Sequence, residues 1–312
     1  MTTDSIRHFR RIRDVSPDEL RFIINKAIEI KQRPDAWSTA LTGKTLAMLF
    51  QKTSTRTRFS FEVGMTQLGG HAIFAETRLT NIGIADLADE GLVISRYVDV
   101  IMARLKQSTD LMTLASASEV PVINGLDEKY HPAQALTDLM TIKEKLGRTA
   151  DLKIVYVGIA NNVSNSLAMA AVYSDAQFVL CVPEKDPDSD VPEHLAFLQE
   201  SSRYSENPDI AEAVKDADVI YTDTWINLEY FTDPSFAEEK ERRINTFTPY
   251  QVNEEMLALT GKDTLVMHCL PAHKGYEVNE TVLYTPNSVV FDQAENRLHA
   301  QKALLLWLLN KL

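Results

Sequence analysis

Cysteine is almost missing from this chain of 312 residues, where Cys181 and Cys269 are the only two. Two thiols with no signal peptide before them exclude a disulfide framework and point to a reducing compartment, the cytoplasm. Residues 1–13 are polar and mixed in charge, without the apolar stretch of a secretory signal or the Arg-rich pattern of a transit peptide. No apolar run approaches the roughly 18 to 20 residues that cross a bilayer, which excludes a spanning segment. Positive charge is also short: 32 Lys and Arg stand against 44 Asp and Glu, for a net charge of -12. That balance excludes nucleic acid and anionic membrane as main partners. A small anionic ligand would need positive charge gathered locally, so clusters of Arg and Lys are the places to inspect. No internal repeat or low-complexity tract interrupts the chain.

What is present suits a globular protein of two compact domains, with 45% hydrophobic and 24% charged residues in a length too great for one ordinary core. Short apolar runs alternate with amphipathic segments, the rhythm of parallel sheets covered on both faces. In the first half, residues 45–50, 71–75, 98–104 and 121–126 read as strands. Residues 16–31 read as a helix on the spacing of Leu20, Ile23, Ile24, Ala27 and Ile30, and a second runs from Pro132 to Leu146, with Gly147 ending it. In the second half, residues 153–157, 178–183, 218–222, 264–267 and 288–291 read as buried strands. Helices are expected over 164–173, 192–203 and 295–312. The fold class is therefore α/β, with two doubly wound parallel-sheet domains joined near residues 144–151.

The densest local signal is Lys52-Thr53-Ser54-Thr55-Arg56-Thr57-Arg58, between the strand 45–50 and a helix carrying Phe61, Met65 and Leu68. A capped helix with a solvated charged turn is one reading. Cations are disfavoured at a helix N-terminus, however, where the dipole is already positive. Three of them with four hydroxyls fit a bound anion better, because backbone N–H groups, hydroxyls and Arg forks are the parts of a phosphate cradle. His131-Pro132-Ala133-Gln134 opens the next long helix, either as an ordinary cap or as polar groups aimed past the sheet's C-terminal edge. Arg104, closing an apolar strand, is either a salt-bridge partner or a cation that polarises a carbonyl.

In the second half, Gly158-Ile159-Ala160-Asn161-Asn162 resembles a Rossmann turn but lacks the three-glycine fingerprint, which disfavours dinucleotide binding. Asn161 and Asn162 serve equally as turn formers or as hydrogen-bond partners of a ligand. Asp223 and Cys269 both follow strands and so lie at the ligand edge, although a buried thiol is as readily a small apolar residue. His268, Cys269 and His273 match no closed zinc spacing, so no metal is expected.

Taken together, these segments resemble the aspartate/ornithine carbamoyltransferase family over nearly the whole chain. The resemblance rests on Ser54-Thr55-Arg56-Thr57-Arg58, His131-Pro132-Ala133-Gln134, Asn161-Asn162, Asp223-Thr224-Trp225, His268-Cys269-Leu270-Pro271 and Glu295-Asn296-Arg297, in that order. It implies a carbamoyl-phosphate domain over 1–146, an amino-acid domain over 147–294, and a last helix, 295–312, that packs back on the first. It also implies a homotrimer with active sites at subunit boundaries. By this resemblance, Ser54, Thr55, Arg56 and Thr57 hold the phosphate and Arg297 completes the anion pocket. Arg104, His131 and Thr57 polarise the carbamoyl oxygen, and Gln134 with the Leu270 carbonyl accepts from the carbamoyl NH2. Asn162 and Asp223 grip the amino acid, and Cys269 sits beside both the donor and the attacking amine. The reaction expected is transfer of the carbamoyl group to the side-chain amine of ornithine, with phosphate as leaving group and proton acceptor, so that neither cofactor nor metal is needed.

Departures from the family pattern concern the acceptor. Ornithine enzymes usually carry Ser-Met-Gly shortly after the Asp-Thr-Trp, where this chain has Asn227-Leu228-Glu229, and the stretch up to Tyr250 is longer than usual. Asn227 replaces the serine's hydrogen bond and Leu228 the methionine's bulk, which makes both candidates for the amino-acid site. Asn81 stands where a Gln normally reaches carbamoyl phosphate, and Ile159 where the family usually has Asp. Putrescine, lysine or an N-acylated ornithine remain alternative acceptors, and a non-catalytic carbamoyl-phosphate-binding homologue is a further alternative. The run His268-Cys269-Leu270-Pro271-Ala272-His273-Lys274-Gly275 resembles the ornithine version.

Overall fold

The structure is a computed structural model and describes residues 6–82, 84–226 and 233–312. Its chain divides into two compact units, Met1–Gly147 with Glu295–Leu312, and Arg148–Ala294. The first contains the parallel strands β1 (Thr45–Phe50), β2 (His71–Glu76), β3 (Val100–Arg104) and β4 (Val122–Leu126), in the order β2-β1-β3-β4. Leu46 pairs with both Ala72 and Val100, so β1 is central and reads as an apolar run because both its faces are covered. Edge strand β2 leaves His71 and Ile73 exposed and the rest half-buried.

Helices α1 (Pro17–Gln32), α2 (Thr55–Gln67), α3 (Leu87–Ser95), α4 (Ser108–Ala117) and α5 (Pro132–Leu146) belong to this unit. In α1, Ser16 and Glu19 close a capping box around Pro17, and Leu20, Ile23, Ile24, Ala27 and Ile30 are buried. Gly147 ends α5 at φ 75°, the left-handed position that glycine takes without a Cβ clash.

The second unit holds β5 (Lys153–Ala160), β6 (Gln177–Lys185), β7 (Tyr204–Glu206), β8 (Val219–Thr222) and β9 (Leu265–His268), all parallel, in the order β7-β6-β5-β8-β9. With them go α6 (Asn162–Tyr173), α7 (Pro192–Gln199), α8 (Ile210–Val214), α9 (Ala237–Phe247), α10 (Glu254–Leu259) and α11 (Glu280–Leu283). Val155, Val157, Ile220, Val266 and Val290 share its core.

The last helix, α12 (Val290–Leu308), corrects one expectation: residues 288–291 are not a strand. Val266 donates to Asn287 and accepts from Val289, so Ser288 makes one isolated bridge beside β9 before the helix starts. Four residues of apolar run are too few to separate a strand from the first turn of a buried helix. Residues 192–203 are likewise shorter as a helix, ending at Gln199, and the chain then forms β7, whose exposed edge carries no apolar signature. Within the first unit, α12 packs back through Asn296 on Thr141 of α5, at 3.0 Å, and through Lys302 on Gln67 of α2, at 2.6 Å. Among the described residues, no helix is long and apolar enough to cross a membrane.

Candidate active site

In the first sheet the strand order reverses between β1 and β3, and open parallel sheets bind ligands at the C-terminal ends of such a pair. A groove lined by Gln51, Lys52, Thr53, Ser54, Thr55 and Arg58 opens at this edge. Ser54 caps α2: its Oγ accepts from the Thr57 N–H at 3.3 Å and donates to Thr57 Oγ1 at 3.0 Å. Thr55 and Arg56 thus occupy the first helical turn, and Arg104 ends β3 one strand away, its Nη1 3.4 Å from the Gly125 carbonyl.

Arg297, only 2% exposed, reaches in from α12. Its Nη2 donates to Thr57 Oγ1 at 2.9 Å and its Nη1 donates to Gln134 Oε1. The amide of Gln134 is oriented from both ends, since Nε2 donates to Asp138 Oδ1 at 2.8 Å. His131 precedes α5 and is buried; burial, then the charges of Arg297, Arg104 and Arg56, hold its pKa well below the ordinary value. The imidazole is therefore neutral at physiological pH, able to donate one hydrogen bond without adding charge. An acidic protein has gathered guanidinium groups around one buried ring, an arrangement that an anionic ligand stabilises.

Before His131 the chain turns on Asp127, whose Oδ1 accepts from the Lys129 and Tyr130 N–H groups at 2.8 and 2.6 Å. Asn124 donates to the other oxygen at 2.9 Å. These bonds favour the carboxylate, but burial outweighs them and raises the Asp127 pKa to about 6. Asn81 stands apart: it lies on an exposed turn where its carbonyl accepts from Ile84 and Ala85. Among the described residues, no hydrogen bond joins it to the cluster around Arg297.

In the second sheet the order reverses between β5 and β8, and the residues that follow them are Asn161 and Asp223. Asn161 caps α6, its Oδ1 accepting from Val163 and Ser164 N–H groups and from the Tyr156 hydroxyl at 3.0 Å. Its Nδ2 is left to donate to Asp223 Oδ2 at 2.8 Å. Asp223 Oδ1 accepts from the Thr224 N–H at 2.8 Å and from Cys269 Sγ at 3.1 Å. Asn162, half-buried, begins α6 beside them. Leu270 follows Cys269 at φ 58°, held there as its N–H donates to His268 Nδ1 at 2.8 Å. Asn227 and Leu228 lie outside the described residues.

Asp223, His268 and Cys269 bring ligating atoms within 4.8 Å of one another. Both nitrogens of His268 are already engaged, Nδ1 by the Leu270 N–H and Nε2 by Glu277 at 3.1 Å. Hydrogen bonding thus accounts for this cluster. Cys181 is in the core, and burial pushes its pKa up to about 12, which makes that thiol inert.

Residues 7–144 match the family model for the carbamoyl-P binding domain of aspartate/ornithine carbamoyltransferase, and residues 150–308 match that for its Asp/Orn binding domain. The chain belongs to the aspartate/ornithine carbamoyltransferase family. It is 45% identical to the ornithine carbamoyltransferase of Pyrococcus abyssi, over 96% of this chain and 94% of that one. With the enzyme of the same name from Archaeoglobus fulgidus it shares 42% identity over 98% of both chains. The solved ornithine carbamoyltransferase of Pyrococcus furiosus superposes with a TM-score of 0.86 at 43% identity, over 96% of each chain.

Two contacts, one in each unit, were not legible in the sequence: the Asp138 carboxylate on Gln134 and the Asn161 amide on Asp223. Asn161 was legible as a turn former, and the Ser164 that completes its capping box marks it as a helix cap, but only the fold turns its amide onto Asp223. Asp138 orients Gln134 from one helical turn away, an i,i+4 pair visible in the sequence once both residues are known to face inward.

Proposed function

We propose that this chain transfers the carbamoyl group of carbamoyl phosphate to the side-chain amine of L-ornithine, giving L-citrulline and phosphate, a step of arginine metabolism. The observation that carries this reading is the buried fork of Arg297 on Thr57 and Gln134 beside a neutral His131. Ser54, Thr55, Arg56, Thr57 and Arg297 take the phosphate in the first unit. Arg104, His131 and Thr57 meet the charge that develops on the carbamoyl oxygen, donors set in place beforehand. Gln134 Oε1 and the Leu270 carbonyl accept from the carbamoyl NH2, and Asn81, apart from this cluster in its own chain, reaches the donor bound by a neighbouring copy. In the second unit, Asn162, Asp223, Asn227 and Leu228 bind the amino acid, with Asp223 oriented by Asn161.

The reaction forms a bond from the amine nitrogen to the carbamoyl carbon and breaks the bond from that carbon to the phosphate oxygen. An alkyl amine has a pKa near about 10.4 and must lose a proton to attack. Asp223 and Cys269 orient it, and the departing phosphate takes the proton. Exposed Leu79, Ile84 and Phe59 in the first unit support assembly with copies of the chain, which we read as a homotrimer, and the scarcity of cysteine supports a cytoplasmic location. The test is turnover of ornithine, putrescine, lysine and N-acetylornithine with carbamoyl phosphate. Citrulline is expected; an inert ornithine beside another amine that reacts would overturn the assignment.

A further inference from the structure

The backbone that leaves Asp223 is held from outside at two successive residues, Thr224 and Trp225. Thr224 Oγ1 donates to the Ile226 carbonyl at 2.7 Å and lies 2.9 Å from His273 Nδ1. Trp225 is buried, its ring stacked on Phe247 of α9 with centroids 5.7 Å apart. It also presses on Gly158, where a Cβ would stand 2.7 Å from the indole Nε1. The Trp225 carbonyl accepts from Arg243 Nη1, also of α9, at 2.8 Å.

Arg243 is buried although its carboxylate partner does not require it. Glu239 bonds Arg243 Nε at 2.9 Å but also takes two bonds of 2.8 Å from Arg242. Placing a guanidinium under a neutral carbonyl is costly in desolvation, and a surface ion pair alone would leave it in water. The bond to the Trp225 carbonyl ties this buried guanidinium to the backbone that leaves Asp223. From that carbonyl the path to the site is short: the Thr224 N–H donates to Asp223 Oδ1, and the same carboxylate binds Cys269 and Asn161.

We infer that Arg243 is a positioning residue for the acceptor: by fixing the Trp225 carbonyl it sets the place of Asp223, and with it which amines the second unit accepts. This rests on the carbamoyl-transfer reading. A displacement near 1 Å at a group that orients a reactant lowers rate on the order of 100-fold, which is the loss of ornithine kcat/KM expected for Arg243→Met. Preference for ornithine over lysine falls with it, while binding of inorganic phosphate is unchanged. Arg243→Lys, which keeps a donor near the carbonyl, recovers part of both.

A purely structural role would lower activity on every amine in proportion to the folded fraction and leave the preference alone. The proposal is overturned when folded Arg243→Met keeps its ornithine KM and its ornithine-to-lysine ratio within about twofold of the parent. Should Arg243→Met not fold, the same two readouts on Arg243→Gln, whose shorter side chain keeps a polar head but falls short of the Trp225 carbonyl, decide in the same way. A parent protein that forms no citrulline overturns the functional reading instead, and the preference ratio is then taken between the amines that do react.

Discussion

Replacing Arg297 by Met removes a charge of nearly the same length of chain from the middle of the donor cluster. Two hydrogen bonds go with it, to Thr57 Oγ1 and Gln134 Oε1. Bonds to charged groups contribute about 1.5–3 kcal/mol each, so destabilisation of about 3–6 kcal/mol is the upper limit. Removing one of three mutually repelling guanidinium groups offsets part of that in the ligand-free protein. Bound phosphate has the opposite balance, since it loses one charged contact without relief, about 1.5–3 kcal/mol or roughly 10- to 150-fold in Kd. Arg297 is also the foremost charge depressing His131, so the His131 pKa rises in the variant, while burial keeps it below the ordinary value. Calorimetric titration with carbamoyl phosphate and an NMR titration of the His131 ring measure the two effects. A Kd within about threefold of the parent, with an unmoved His131 pKa, would refute the placement of Arg297 in an anion site.

Three further outcomes are expected. Asp223→Asn removes the charged acceptor shared by Cys269 and Asn161, so ornithine kcat/KM should fall about 100-fold or more while phosphate binding is kept. Asn296→Leu deletes bonds to Thr141, Glu144 and Lys31 one residue before Arg297; denaturant titration should show a loss of about 3 kcal/mol. Asp127 has a folded pKa of about 6 against an ordinary value of 3.8, so the native state keeps a proton that the unfolded chain releases in this window. Stability should then fall by up to about 3 kcal/mol as pH rises through that interval and level off above it. Asp127→Asn should flatten this slope in urea titrations, and a slope identical to the parent's would show that another group causes it.

Much of the scaffold was legible because local signals agreed with the tertiary setting. The apolar run of β1 and the cap, Pro132 and Gly147 of α5 give the same bounds in sequence and structure. Where local signals are short or exposed they misled: Val290 and Phe291 look like strand, and Tyr204–Glu206 looks like nothing, because an edge strand buries little. The candidate residues were legible as types. Hydroxyls and arginines at a helix start, and an Asp and a Cys after strands, indicate where ligands are bound without saying which atoms meet.

By itself, then, the sequence determined the α/β class, the caps and apolar runs that build two parallel sheets, and the clusters of polar residues at their edges, all of which depend on neighbours within a few positions. Tertiary structure alone decided that Arg297 bonds Thr57 across 240 positions of chain, that Asn161 turns its amide onto Asp223, and that His131 is neutral. Those properties come from strand order and burial, which bring distant groups into a low-dielectric space where each one's charge fixes its neighbours' protonation and orientation.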